Sequence, residues 1–138
     1  MKPEHMNVPV SEMPVLLQPP HPDHADCRGV ASILSMVGDK WSVFVIMNLS
    51  DGPKRFNELK RMISGISQRM LTLTLRGLER DGLVTRTIFP TIPPRVDYEL
   101  ADLGRGLQQP VMALGLWAKE HQAQIAAART RFDERNDT

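Results

Sequence analysis

Hydrophobic positions along this chain fall into helical spacing, switch to alternation, and then return to helical spacing. Val30, Ile33, Leu34 and Val37 recur at the 3.6-residue period, and Gly38 ends the run. Trp41 to Leu49 is apolar on several sides and stops at the turn cluster Ser50-Asp51-Gly52-Pro53. Phe56, Leu59 and Ile63 predict a third short amphipathic helix, closed by Ser64-Gly65. Ser67 fits the N-cap of a fourth helix, which buries Leu71, Leu75 and Leu78 at i, i+4 and i+7 and ends at Asp81-Gly82. Period two follows in Leu83–Ile88 and Arg95–Leu100, two strands joined by a loop, Phe89–Pro94, that holds Pro90, Pro93 and Pro94. Beyond Leu100 helical spacing resumes through Leu103, Leu107, Val111, Leu114 and Trp117, with His121 and Ile125 further on. Pro110 lies inside this last stretch and should kink it or start its second half.

Three short helices, a capped fourth, a hairpin and a long last helix describe a mainly α fold with a small β-hairpin wing. That is a winged helix-turn-helix, with the first and last helices left to dimerise. Six of the eleven prolines fall within residues 1–26, which removes backbone donors and excludes a regular helix there. We therefore expect a flexible Pro-rich arm over residues 1–26, a folded domain over 27–128 and a polar tail over 129–138.

Composition bounds the class. The chain has 138 residues, one domain's worth, with 41% hydrophobic and 24% charged residues. No apolar run approaches the roughly eighteen residues of a membrane span, and Met1–Val10 has no apolar signal-peptide core, so a cytoplasmic protein is expected. The formal charge of +1 argues at first against a nucleic-acid partner. Sorting it by segment reverses that. Residues 1–39 carry −3, residues 40–96 carry +6, residues 97–116 carry −2 and the remainder is neutral.

The basic middle coincides with the fourth helix and the hairpin. With Leu71, Leu75 and Leu78 turned inward, Gln68, Arg69, Thr72, Leu73 and Arg76 fall on the outer side, where a recognition helix presents residues to the major groove. Gln suits adenine, Arg suits guanine, and Thr or Leu suits a thymine methyl. Ser67 and the free amides at the helix start suit a phosphate. Arg86, Thr87 and Arg95 flank the hairpin tip, where a wing meets phosphates or the minor groove. Lys54 and Arg55, at the start of the third helix, add candidate phosphate contacts. A solvated helix face and the wet side of a hairpin would show the same residue types; the clustering of ten cations in one segment favours the nucleic-acid reading.

The residues also carry a resemblance. Gly38-Asp39-Lys40-Trp41, Gly52–Leu59, Gly65–Thr72, Leu75–Val84 and Pro93–Leu100, ending near Gly104, Leu107 and Trp117, resemble the HxlR-type helix-turn-helix regulators of the wider MarR-like winged-helix group. The resemblance covers about Cys27 to Trp117. It implies a homodimeric transcription regulator that binds double-stranded DNA at a partly palindromic operator, with Ser67, Gln68, Arg69, Thr72 and Arg76 in the recognition role and Arg95 in the wing. Two positions depart from the family pattern. Ala101 stands where the family usually has Thr, which removes the N-cap of the last helix, and Leu73 stands where a polar residue is common.

The single cysteine, Cys27, excludes an intramolecular disulfide and an all-thiolate zinc site. Placed just before the first helix and beside Arg28, it sits where a thiolate is favoured. Many HxlR-like proteins carry a cysteine here, and in some it senses oxidants or electrophiles, so the resemblance makes Cys27 a candidate redox sensor; a small half-buried residue is the plain alternative. His21, His24 and Cys27 are spaced three apart but supply no closed set of four zinc ligands, so no metal is expected. Nor is a cofactor, because no nucleophile–base pair and no phosphate-cradling Gly-rich loop is present, which argues against an enzyme. Leu103, Leu107, Val111, Leu114 and Trp117 form more apolar surface than a small domain covers, and a dimer interface is their natural sink. The rival reading is a winged-helix module for protein–protein contacts without specific DNA readout.

Overall fold

The computed structural model describes residues 25–136. The chain divides into two compact units, Met1–Val37 and Gly38–Thr138. In the first, α1 runs from Ala25 to Val37. It starts two residues ahead of Cys27, so the thiol lies inside the first turn and not before the helix as expected. Ala25 and Asp26 carry no apolar period, and an acidic residue suits a helix start, so periodicity alone could not place this end. The rest of the Pro-rich arm, residues 1–24, lies outside the described residues.

The second unit opens with α2, Lys40–Asn48. The Asp39 carboxylate caps it, accepting from the Trp41 and Ser42 amides at 3.1 and 3.4 Å. Ser42, Val45, Ile46 and Leu49 are buried at i, i+3, i+4 and i+7, which makes α2 a central helix. The chain then forms a two-residue strand, β1, Lys54–Arg55, before α3, Phe56–Met62. The Glu58 carboxylate accepts from the Arg55 amide at 3.1 Å and closes the first turn of α3.

The fourth helix, α4, spans Gln68–Arg80. Ser67 Oγ accepts from the Met70 amide at 3.0 Å, as its N-cap position requires. Leu71, Leu75 and Leu78 are buried in the predicted register, each contributing about 1.5–3 kcal/mol of burial. Two backbone bonds close the helix: the Leu83 amide donates to Leu78 O at 2.9 Å and the Gly82 amide to Glu79 O at 3.0 Å. This is a Schellman motif, and it needs φ = +77° at residue 82, which glycine supplies without strain.

From that cap the chain enters β2, Val84–Phe89, which pairs antiparallel with β3, Arg95–Leu100, from Val84↔Leu100 out to Phe89↔Arg95. β1 adds to the other side of β3, with Lys54↔Tyr98 and Arg55↔Asp97, so the sheet order is β1-β3-β2. Two residues cannot show alternation, which is why β1 escaped the pattern and Lys54 and Arg55 were expected on α3. Leu83, Val84 and Leu100 bury the wing's base against the helices.

The long last helix is instead three: α5, Asp102–Arg105; α6, Gln108–Glu120; and α7, Gln122–Arg135. Ala101 opens α5 without a side-chain cap, as its departure from the family pattern implied. Pro110 falls in the first turn of α6, where its missing N–H costs nothing, so it starts a segment instead of kinking one. His121 separates α6 from α7, with φ −112° and ψ 9°, and stacks on Trp117 with ring centroids 4.4 Å apart. Residues 129–135, expected in a polar tail, continue α7. Val111 and Gly115 seat α6 on α2: a Cβ at Gly115 would stand 3.1 Å from Met47 Cε, and Gln108 Nε2 donates to Ser50 O at 3.0 Å.

Candidate nucleic-acid interface

The inward packing of Leu71, Thr74, Leu75 and Leu78 fixes which side of α4 meets solvent. Gln68, Arg69, Thr72, Leu73 and Arg76 are all exposed, Leu73 at 52%, an apolar residue beside the exposed Met70 one turn earlier. The Thr72 hydroxyl donates to Gln68 O at 2.9 Å. Its proton is therefore committed within the helix, and the side chain offers a methyl group and an acceptor to anything that approaches.

The wing and phosphate candidates are placed differently from expectation. Only Arg95 borders the tip; Arg86 and Thr87 lie within β2, opposite Tyr98 and Asp97. Arg95 stacks its guanidinium 4.2 Å above the Phe89 ring and stands 3.4 Å from Asp97 Oδ1. Asp97 also faces Arg55, at 4.0 Å, so one carboxylate ties β1 to β3. Lys54 donates to Asp51 at 2.7 Å, and its side chain is only 13% exposed, which makes it a poor phosphate ligand. That hydrogen bond and the Lys54 charge hold the Asp51 carboxyl below its ordinary range. Arg86 meets Glu79 at 3.7 Å.

The basic segment thus separates into two sets. Lys54, Arg55, Arg86 and Arg95 are ion-paired, and Lys40 rests 4.5 Å over the Trp41 ring. Lys60, Arg61, Arg69, Arg76 and Arg80 are exposed and, among the described residues, have no acidic partner. All five lie on α3 or α4. Glu79 and Tyr98 belong to this region as well, although the sequence pattern did not single them out. With Thr72, Leu75, Arg76 and Arg86 they line a cleft of about 340 Å³ between α4 and the sheet. Burial pushes the Tyr98 phenol up; Arg86 opposes that, Glu79 adds to it, and Arg76 opposes it. A strand tyrosine and a helix glutamate are adjacent here only because of the Arg86↔Tyr98 register, which needs the fold.

A model of the HxlR-like helix-turn-helix family matches residues 36–126. The chain belongs to this family. The uncharacterized HTH-type transcriptional regulator YdeP of Bacillus subtilis (strain 168) is 40% identical over 108 residues, covering 76% of this chain and 84% of that protein. Among solved structures, the redox regulator HypR in its oxidized form is 41% identical with a TM-score of 0.63, covering 67% of this chain and 95% of its own. The diamide-treated YodB from B. subtilis is 37% identical with a TM-score of 0.60, covering 70% of this chain and 96% of its own. A mostly helical winged-helix fold, with a three-stranded antiparallel sheet as its wing, is the family's architecture in this chain. Transcription regulation through that fold is the family's role.

The remaining candidates are placed as follows. Cys27 is half-buried in α1; His21 and His24 lie outside the described residues. Of the apolar stripe, Val111 is 6% exposed and serves the chain's own core, a correction to its expected place on a dimer surface. Leu107 is half-buried, whereas Leu103, Leu114 and Trp117 are exposed, joined by Met112 and Leu116 on α6. The stripe fails as one face because the break at Gly106-Leu107 puts Leu103 on a different helix. Among the described residues no single helix is long and apolar enough to cross a membrane.

Proposed function

We propose that this HxlR-family chain is a cytoplasmic, homodimeric, sequence-specific DNA-binding regulator of transcription that reads a partly palindromic operator with α4. The observation that carries this is that, within the basic segment 40–96 and among the described residues, the five exposed cations without acidic partners all lie on α3 and α4, while the cations of β1 and the wing are paired. Gln68, Arg69, Thr72, Leu73 and Arg76 read base edges, and Ser67 with the α4 amides holds a phosphate. Thr87, Arg86, Arg55 and Arg95 follow the backbone beside the groove, with Lys54 supporting the β1 turn. The exposed Leu114 and Trp117 of α6, with Leu103 of α5 as a separate contact, supply apolar surface through which the last helices pair with a second copy. Two-fold symmetry then sets two α4 helices on successive major grooves.

Mobility shift of the purified protein on its own upstream DNA tests this. Arg69→Ala and Arg76→Ala should each weaken operator binding about tenfold or more, and binding should fall steeply with salt. Unchanged affinity in both variants refutes the recognition role and favours the protein–protein module. A redox response through Cys27 is a second reading, supported by its place in the first turn of α1 and by the redox regulator HypR and diamide-treated YodB among similar structures. Diamide should change operator binding of the parent protein and leave Cys27→Ser unaffected. An equal response in both removes Cys27.

A further inference from the structure

We infer that the cleft between α4 and the sheet is a seat for one backbone phosphate of the bound duplex, with Arg86 as its cation, the Tyr98 hydroxyl as its second donor, and Glu79 as a tethered anion that occupies Arg86 until DNA arrives. The inference rests on the reading of α4 as the DNA-facing helix and adds to it the residues that gate one contact. Three observations carry it. Thr72 and Arg76 line both the cleft and the exposed face of α4, so a duplex lying on that face passes the cleft's mouth. Arg76 and Arg86 against Glu79 leave the cleft with one surplus positive charge, which suits a singly charged phosphodiester. The Tyr98 side chain lines the same cleft from β3, and its phenol, which is protonated at neutral pH as any tyrosine is, can donate.

Glu79 is the unusual member. It holds Arg86 from a neighbouring element at 3.7 Å, and both side chains remain 40–44% exposed. An ion pair of that length and exposure is weak, so a phosphate can displace the carboxylate. The carboxylate then remains beside the phosphate as a like charge. Glu79 is in this sense a positioning residue: it orients Arg86 in the free protein and sets how much affinity the contact adds. The other ion-paired acids differ in this respect, since Asp97 is mostly buried between two arginines, Asp51 serves the turn before β1, and Asp102 pairs with Arg105 within α5, away from the cleft.

The test is a salt-titrated binding assay with two duplexes, one from the protein's own promoter and one of random sequence and equal length. Glu79→Gln should tighten both by roughly two- to fivefold, whereas Arg86→Ala should weaken both and reduce the slope of log affinity against log salt by about one. In the Arg86→Ala background, Glu79→Gln should add no further tightening. Tyr98→Phe should weaken both duplexes with the salt slope unchanged, and Arg86→Lys should restore the slope. A gain from Glu79→Gln that persists without Arg86, or no gain at all, overturns the seat. Arg69→Ala separates the two levels: if it weakens promoter binding while the cleft variants do nothing, the seat fails and α4 stands; if it too does nothing, the α4 reading fails. Inorganic phosphate added to the DNA-free protein at constant ionic strength should leave the Tyr98 ring resonances little changed. Saturable shifts with a dissociation constant below about 1 mM would assign the seat to a small free anion and overturn the backbone assignment.

Discussion

Gly104 is the position where this fold leaves least room, and replacing it tests how α5 holds the wing to α4. A Cβ built there stands 2.1 Å from Leu83 O and 3.0 Å from Leu83 C. Non-bonded carbon and oxygen need about 3.3 Å or more, so a backbone shift of roughly 1 Å is required. The obstacle is a carbonyl that already accepts from the Ala101 amide at 2.9 Å, and Leu83 itself is fixed by the Schellman bond to Leu78. Relaxation therefore stretches the Ala101 bond or moves the end of α4. Losing that bond at a buried acceptor costs about 1–3 kcal/mol, overpacking costs about 1–3 kcal/mol, and the better helix propensity of alanine returns about 1 kcal/mol. The net expectation for Gly104→Ala is a destabilisation of about 1–5 kcal/mol, a large share of a typical domain's stability. Gly77→Ala is the paired control. Gly77 lies inside α4, a Cβ there meets nothing within 4 Å, and the same substitution should stabilise by about 0.5–1 kcal/mol. Urea unfolding at one fixed protein concentration, with midpoints read at unchanged m, measures both. A Gly104→Ala midpoint within about 0.5 kcal/mol of the parent, or a loss at Gly77 of similar size, would refute the argument.

Three further outcomes follow from single contacts. Ser67→Ala removes the acceptor for the Met70 amide and should cost about 1 kcal/mol in unfolding free energy, with weaker operator binding in the same protein. Tyr98 is the chain's single tyrosine, so the ultraviolet phenolate band titrates it alone; its midpoint should be higher folded than unfolded, and Arg86→Ala should raise it further. Because the folded value is the higher one, this contribution to stability is present below the unfolded midpoint and is lost as pH rises through the folded one. Asp51 has the opposite sign: its lowered carboxyl gives a contribution present above the ordinary carboxylate range and lost as pH falls through the folded value, and Lys54→Ala should return its carboxyl resonance titration toward the ordinary range.

Much of the architecture is legible in the sequence because it rests on local chemistry. Ser67, Leu71, Leu75, Leu78, Asp81 and Gly82 specify the start, buried face and end of α4 through capping and the 3.6-residue period, and all six act in the structure as the pattern predicts. The strands are placed to within one residue by alternation. What the pattern misses depends on contacts distant in sequence. β1 exists because β3 offers an open edge to Lys54 and Arg55, and two residues have no period of their own. Val111 and Leu114 belong to one apolar spacing, yet the docking of α6 on α2, marked by Gln108 on Ser50 and Gly115 against Met47, leaves Val111 buried and Leu114 exposed. Arg86 reads as a residue near the hairpin tip until the register sets it opposite Tyr98 and within reach of Glu79.

Charge shows how sequence and fold combine at the interface. The +6 of residues 40–96 identifies a basic segment, but a sum treats all ten cations alike. The fold ranks them. Asp97 holds Arg55 and Arg95, Phe89 stacks on Arg95, and Asp51 holds Lys54, so these cations stiffen the sheet and meet an approaching polyanion only by leaving a carboxylate. Exposed ion pairs are weak, so the carboxylates do not forbid phosphate contact. They do ensure that the same phosphate gains less there than on Arg69, Arg76 or Arg80, whose charges are otherwise balanced by salt. Counterion release, and with it the salt dependence of binding, is therefore expected to be concentrated on α3 and α4. Asp51 and Asp97 thus do more than lower the net charge: by pairing with Lys54, Arg55 and Arg95 they leave Arg69, Arg76 and Arg80 as the unpaired cations of α4 among the described residues.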